Sequence, residues 1–287
     1  KMGNVANASS EAELRGALAW MVGEEGRGVP TIIEMVAMTR FDCMIGSSAG
    51  MRQAIAQASH HCRHRSAFGA RLIDQPLMQN VLADLALESE AALAYTMRIA
   101  RALDNQDKEH ERLLARLATP VGKYWICKRT PNHAYEAMEC IGGSGVMEDC
   151  IMPRLFRESP VNAIWEGSGN VQCLDTLRAL QKEPETLDAF FKEAAEAKGA
   201  DRRFDQFLAQ LQHDFADISD FQYRARNLVD RMALALQGSL LLRHSDAAVA
   251  DAFCASRLES SGGMNYGNLP SGTDPAAIIK RATPVVG

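Results

Sequence analysis

From Pro30 onward, the apolar residues of this chain recur every three or four positions, in stretches close to thirty residues long. Long amphipathic helices satisfy a pattern of that period and length, and a fold built mainly of strands does not. Pro30 suits a helix first turn, where its missing N–H would have no partner anyway. Ile33, Val36, Ala37, Met44, Ile45, Met51, Ala54 and Ile55 carry one apolar face to about Arg63, and Arg40 marks a candidate break. A second helix is predicted over Gln75–Leu103, where Leu77, Met78, Val81, Leu82, Leu85 and Leu87 keep mostly the same spacing. A third covers Lys108–Ile141, with Pro120 and Pro131 marking kinks or joints. Residues 142–170 hold the glycines and prolines of an ordered loop region, and a fourth helix runs from Val171 to about Gln181. Three long helices and a shorter fourth, joined by compact loops, predict a mainly α fold organised as a four-helix bundle.

The two ends read differently. Residues 1–29 mix short alternating stretches (Ala12, Leu14, Ala17, Leu18, Trp20) with glycines, ending in Gly23-Glu24-Glu25-Gly26-Arg27-Gly28. That pattern predicts one or two strands and a turn, too little for a sheet, so the chain reads as a fragment of something longer. Residues 183–287 return to helical periodicity, at roughly 185–198, 202–215, 218–243 and 245–258, before a glycine-rich segment, Ser260–Ser271, read as a mobile loop.

Composition enters as a filter. A net charge of −5 argues against a protein that coats nucleic acid, though a local basic patch remains open. No apolar run approaches the length of a membrane span. Seven cysteines without a Cys-x-x-Cys pair suit reduced thiols in a cytoplasm better than disulfides or a metal site.

Three segments carry chemistry. In Ile164-Trp165-Glu166-Gly167-Ser168-Gly169-Asn170, a lone carboxylate follows apolar residues and precedes small ones. A carboxylate in apolar surroundings loses hydration and becomes a stronger base, as abstraction of a proton beside a thioester carbonyl requires. The same pattern also fits a surface glutamate ahead of a helix cap. In Ile141-Gly142-Gly143-Ser144-Gly145, close glycines let backbone N–H groups approach a phosphate, or simply end a helix. In Arg65-Ser66-Ala67-Phe68-Gly69, with Gln75 beyond, Arg65 offers a fork for phosphate and Phe68 a flat face for a ring; a basic helix end with a Gly stop reads equally well.

Taken in order and spacing, the three segments resemble the C-terminal region of the acyl-CoA dehydrogenases: an Arg-x-x-Phe-Gly segment followed by Gln, a Gly-Gly-x-Gly loop, and an aromatic-Glu-Gly-Ser motif. The likeness covers residues 1 to about 182, with 1–29 resembling the end of the family's middle β-domain and 30–182 its helical bundle. The resemblance implies an FAD-dependent α,β-dehydrogenation of an acyl-CoA thioester with Glu166 as catalytic base. It implies that Arg40 helps hold the acyl-CoA, and that Arg65, Phe68 and Gln75 contact the FAD of a neighbouring subunit. Gly142 and Gly143 would serve its adenosine-pyrophosphate portion, and Ser168 and Asn170 would lie beside the flavin. Two positions depart from the family pattern: Glu139 stands where many members carry a flavin-contacting Gln, and Ala37 replaces an acidic residue three before Arg40. Met38–Cys43, Ile126–Arg129 and Asn162–Asn170, with the helical extension over 183–287, are similar to the AidB-like, alkylation-response branch. That branch implies a tetrameric flavoprotein linked to DNA protection, with DNA contacts in the C-terminal region and a weak or vestigial dehydrogenase site as the alternative reading. Residues 183–287 contain 11 Lys and Arg against 15 Asp and Glu. A non-specific DNA contact would therefore need a local cluster, such as Arg202 and Arg203 or Arg224, Arg226 and Arg231, which reads equally as solvated helix surface.

Overall fold

The computed structural model describes residues 1–216, 221–259 and 272–284; Ser260–Ser271, expected to form a mobile loop, and the 218–220 start of one predicted helix lie outside the described residues. The bundle is built from α1 (Gly28–His64), α2 (Pro76–Asp104), α3 (Glu109–Ile141) and α5 (Gly169–Lys182). Helices α1, α2 and α3 pack on one another, and α5 lies along α3. Gly122 of α3 sets the closest approach: a Cβ there would stand 2.4 Å from the Tyr95 ring of α2 and 2.6 Å from Met44 of α1. Tyr95, fully buried, donates its hydroxyl to the carbonyl of Ala118 at 2.9 Å, so the polar tip of this large core residue is satisfied.

Four sequence expectations need correction. Helix α1 is unbroken at Arg40, because that side chain turns inward to ion-pair and hydrogen-bond partners rather than to solvent. Helix α3 runs through Pro120 and Pro131 as one element; each proline deletes one backbone bond, and the burial of the helix along most of its length offsets the loss. The presumed loop 142–170 contains α4 (Met152–Asn162), whose two prolines and short length hid it. The strands expected before residue 29 are not formed by this chain: residues 1–27 hold no helix or strand, since an isolated strand has no neighbour for its backbone groups. Leu14, Leu18, Trp20, Met21 and Val22 are exposed there, as are Ile32, Ile33, Met35 and Met38 at the start of α1. Only Gly3 is buried, against the Arg157–Glu158 backbone, and the Asn4 amide donates to the Glu158 carboxylate at 2.8 Å.

Beyond α5 come α6 (Glu185–Ala194), α7 (Arg202–Ala216), α8 (Phe221–His244), α9 (Ala247–Phe253), which continues as a π-helical turn through Glu259, and α10 (Pro275–Ala282), absent from the sequence reading. Of these, α6, α8, α9 and α10 pack against the bundle, and α7 packs on α8. Helix α8 contacts α2, α3 and α5, and α10 contacts α2. Apolar clusters cross the junction: one joins Met44, Tyr95 and Leu117 to Phe190, Leu236 and Leu240. Buried ions cross it too. Arg98 of α2 is pinned between Glu111 of α3 (2.7 Å) and Glu193 of α6 (2.8 Å), and Arg243 of α8 reaches Glu193 at 2.8 Å. Glu88 of α2 accepts both Arg129 of α3 (2.9 Å) and Arg257 (3.5 Å). Burial by itself would raise both glutamates; the guanidinium pairs outweigh it and hold Glu88 and Glu193 at about 2. No described helix is long and apolar enough to cross a membrane.

Candidate active site and cofactor cleft

Helix α4 delivers the chain into a turn, Ala163–Ser168, from which α5 departs at Gly169. Within it Glu166 has φ +58° and Gly167 φ +99°. A left-handed conformation is costly for a residue with a Cβ, on the order of 1 kcal/mol or more, and persists only when its surroundings impose it. Here three helices impose it. Lys123 of α3 donates its ammonium to the carbonyls of Trp165 (2.8 Å) and Gly167 (2.7 Å). Gln172 of α5 donates its amide to the carbonyls of Glu166 (2.9 Å) and Gly167 (2.8 Å). Arg40 of α1 donates Nε to the Glu166 carbonyl at 3.1 Å and pairs with Asp175 of α5 at 2.6 Å; Arg116 of α3 reaches the same carboxylate at 3.1 Å. With three successive carbonyls drawn inward, the Glu166 side chain is left on the outer side, half-buried, and its carboxylate accepts no hydrogen bond from the described residues.

The clamp is electrostatic and buried. Lys123 is 1% exposed, and burial pulls its ammonium below the ordinary lysine value. Burial would raise Asp175, but Arg116 and Arg40 outweigh it and hold that carboxyl below its ordinary value. Gly167 has no room for a side chain: a Cβ would meet Val171 at 2.7 Å and Gln172 at 2.9 Å. Burial raises the Cys43 thiol above its ordinary value, and neighbouring Lys123 and Trp165 oppose that rise.

Arg65 and the glycine loop, 77 positions apart, come together. Arg65, Gly142, Gly143 and Ser144 line one cleft of about 670 Å³ with His61, Met78 and Glu139. Gly142 closes α3 at φ +69°, and a Cβ added at Gly142 or Gly143 would meet nothing within 4 Å, so a ligand can reach the backbone at both. Glu139 lies in the same cleft, close enough to the Tyr135 phenol to raise it above its ordinary value. Arg65 leads into a two-residue hairpin, β1 (Ser66–Ala67) paired with β2 (Ala70–Arg71), whose tip is Phe68 (φ +54°) and Gly69 (φ +85°). Paired positive φ values fit the right-handed twist of the strands and throw the Phe68 ring outward, where it is 98% exposed. Gln75 steadies the base by donating to the Ala67 carbonyl at 3.4 Å.

The remaining residues singled out from sequence separate. Ser168 stands at the N-terminal boundary of α5 without a side-chain cap bond, and Asn170 lies in the first turn of α5. The three arginines of α8 do not share a face: Arg226 donates to Asn170 at 2.8 Å, whereas Arg224 donates to the Asp214 carbonyl at 3.2 Å and Arg231 pairs with the Asp214 carboxylate while lying over Phe207. Arg203 is paired with Asp201 and Asp251. Sequence reasoning missed Lys123, Gln172 and Asp175. Lys123 had a signal, as a lone cation inside the apolar run Leu117–Ile126; the other two had none until α5 was placed beside the turn.

Comparison with known proteins bears on all of this. Residues 26–181 match the model of the acyl-CoA dehydrogenase C-terminal domain. The chain is 42% identical over 264 residues to AidB of Escherichia coli, covering 92% of this chain and 48% of that protein. It is 30% identical to acyl-CoA dehydrogenase family member 11 of Caenorhabditis elegans, covering 88% of this chain and 45% of that one. The crystal structure of Caenorhabditis elegans ACDH-11 in complex with C11-CoA superposes with a TM-score of 0.77 at 28% identity, over 83% of this chain and 46% of that one. The chain thus spans about half the length of the curated relatives it matches.

Proposed function

Because the chain belongs to the acyl-CoA dehydrogenase family, we propose that it supplies the catalytic base and part of the cofactor site for FAD-dependent α,β-dehydrogenation of an acyl-CoA thioester. The single observation that carries this reading is the Glu166 turn, a strained carboxylate-bearing residue fixed by Lys123, Gln172 and Arg40 with its own carboxylate left unpartnered. Such a carboxylate is free to take the α-proton of a thioester placed against it, and its backbone cannot swing away as the proton arrives. Arg40, held by Asp175, would fix the acyl-CoA side of the turn. Bound FAD would supply the acceptor for the β-hydrogen and its electron pair, and Glu166 would take the α-proton, so that the α,β double bond forms.

The residues present fit that cofactor. Arg65 and the open backbone at Gly142 and Gly143 offer donors to a pyrophosphate from one cleft, Phe68 presents a ring face, and Gln75 steadies the hairpin between them. Ser168 and Asn170 would attend the flavin end. In this reading residues 1–29 close the middle β-domain, 30–182 form the bundle, 183–287 are an AidB-like extension, and the protein is a cytoplasmic homotetramer in which Arg65, Phe68 and Gln75 serve a neighbour's FAD.

The test uses the protein expressed at its natural full length. It should show flavin absorption that bleaches on adding a suitable acyl-CoA. Glu166→Gln should keep the FAD and slow the bleaching by ~10²–10⁴-fold, the usual contribution of a general base. A spectrum without flavin bands, unchanged on adding FAD, overturns the reading; bleaching at an unaltered rate in the variant removes Glu166 from it.

A further inference from the structure

Helix α8 packs on α5 and reaches its first turn, next to the Glu166 turn. Its Arg226 donates Nε to Oδ1 of Asn170 at 2.8 Å. One turn further on lies Asp230; burial and this carboxylate raise the Tyr124 phenol above its ordinary value, and the Tyr124 ring lies against Gly169, where a Cβ would stand 3.2 Å from it. Tyr124 neighbours Lys123 in sequence, so adjacent residues of α3 hold the turn from within (Lys123) and transmit the contact from α8 (Tyr124). The same hypothetical Cβ at Gly169 would lie 3.5 Å from an Arg226 nitrogen, which puts the guanidinium alongside the first turn of α5.

Two physical consequences follow. A guanidinium only donates, so the atom of Asn170 facing Arg226 must be the amide oxygen, and the two N–H donors of that amide must face away from α8. Without Arg226, the amide is free to present either end. Moreover, the first turn of α5 has no side-chain cap, and its N-terminus carries partial positive charge. A cation beside it is unfavourable unless an acceptor-rich or anionic group also approaches.

We propose that Arg226 is a positioning residue for the cofactor: it locks Asn170 with its amide hydrogens presented to FAD, and so makes a helix of the 183–287 extension part of the cofactor site. The proposal rests on the reading that the protein binds FAD. Arg226 is exposed and belongs to none of the buried ion pairs, so its replacement should leave the fold intact, which an unchanged melting temperature checks.

The experiment titrates FAD, by the change in its fluorescence, into full-length apoprotein carrying Arg226→Leu, Arg226→Lys, Asn170→Ala or the Leu and Ala changes together. Arg226→Leu should weaken FAD binding about tenfold, the size of one hydrogen bond made through a charged partner. Arg226→Lys, which keeps a donor, should recover most of that loss. The double variant should bind no more weakly than Asn170→Ala alone, since Arg226 acts only through the amide. Wild-type affinity in Arg226→Leu, or full additivity in the double variant, overturns the proposal while leaving the proposed function intact. Failure of the wild-type protein to bind FAD removes both.

Discussion

The Glu166 turn and the Arg65–Gly142 cleft are both made of motif residues, yet they are built on opposite principles. At the turn, the carbonyls of Trp165, Glu166 and Gly167 are each taken by a side-chain donor from a flanking helix, and Lys123 behind them is buried. At the cleft, Arg65 is exposed, Phe68 is almost fully exposed, and the two glycines open onto free space. The first is finished by the chain itself; the second is shaped to be finished by something else. A base that accepts a proton gains from being held before the substrate arrives, because misplacement is paid in rate. A cofactor site gains from leaving its donors unspent.

The sharpest way to break that contrast is Lys123→Met. It removes a buried cation and leaves the Trp165 carbonyl without its donor, while the Gly167 carbonyl keeps Gln172, at ~1–3 kcal/mol for the group left unmade. Thermal unfolding should drop accordingly, and hydrogen exchange over 165–168 should accelerate. The matching change at the cleft, Arg65→Ala, should leave stability within about 0.5 kcal/mol, as expected of an exposed side chain, while weakening FAD binding. If Lys123→Met melts like the wild type, the turn is not clamped as described. If Arg65→Ala melts early, the cleft is a structural joint rather than an open site.

How much of this was legible in sequence divides along the same line. Helices α1, α2, α3 and α5 were readable because a long 3–4 spacing records burial on one side. Helices α4 and α10 were not. Eleven residues with two prolines and eight residues with two buried isoleucines leave too few periods to recognise. Glu166, Arg65 and Gly142 were found because their chemistry is local: a carboxylate among small residues, a basic helix end, a glycine pair. Lys123, Arg116 and Asp175 act on the turn from other helices, and nothing in a linear pattern says that residue 123 faces residue 167. Arg40 was singled out only by resemblance, and the structure adds the contact, its bond to the Glu166 carbonyl.

A smaller effect, and one confined to the turn, should come from pH. Arg40 is held by Asp175, whose carboxyl lies below its ordinary value because Arg116 and Arg40 outweigh the cost of burial. A depressed carboxyl stabilises the folded state fully above its unfolded pKa, near 3.9, and that stability is lost as pH falls through the lower folded value. Protection of 165–168 against hydrogen exchange, corrected for intrinsic rates, should therefore hold from neutral pH to about 4 and decline below it. The 65–71 hairpin, whose Arg71 pairs with Asp74 only at the exposed surface, should show a smaller step. Asp175→Asn should lower protection of the turn at neutral pH as well. A turn indifferent to both changes would mean that Lys123 and Gln172 suffice and Arg40 is free for substrate.

The smallest effect is expected from DNA, and the contrast explains why. An arginine spent inside the chain resembles Arg40, not Arg65. Arg231 is paired with Asp214, Arg224 donates to the Asp214 backbone, Arg203 is flanked by Asp201 and Asp251, and Arg226 is turned to Asn170. Neutralising phosphates through these side chains would mean exchanging existing partners, in an extension whose net charge is −4. Binding driven by counterion release shows log affinity falling linearly with log salt, with a slope set by the number of phosphates contacted. A salt titration against unrelated duplexes should therefore give weak binding and a shallow slope. Changing Arg224 and Arg231 to Ala should alter neither. A steep slope that flattens in that double variant would show that both arginines leave Asp214 for the phosphate backbone, and would move them to the open class of residue that Arg65 represents.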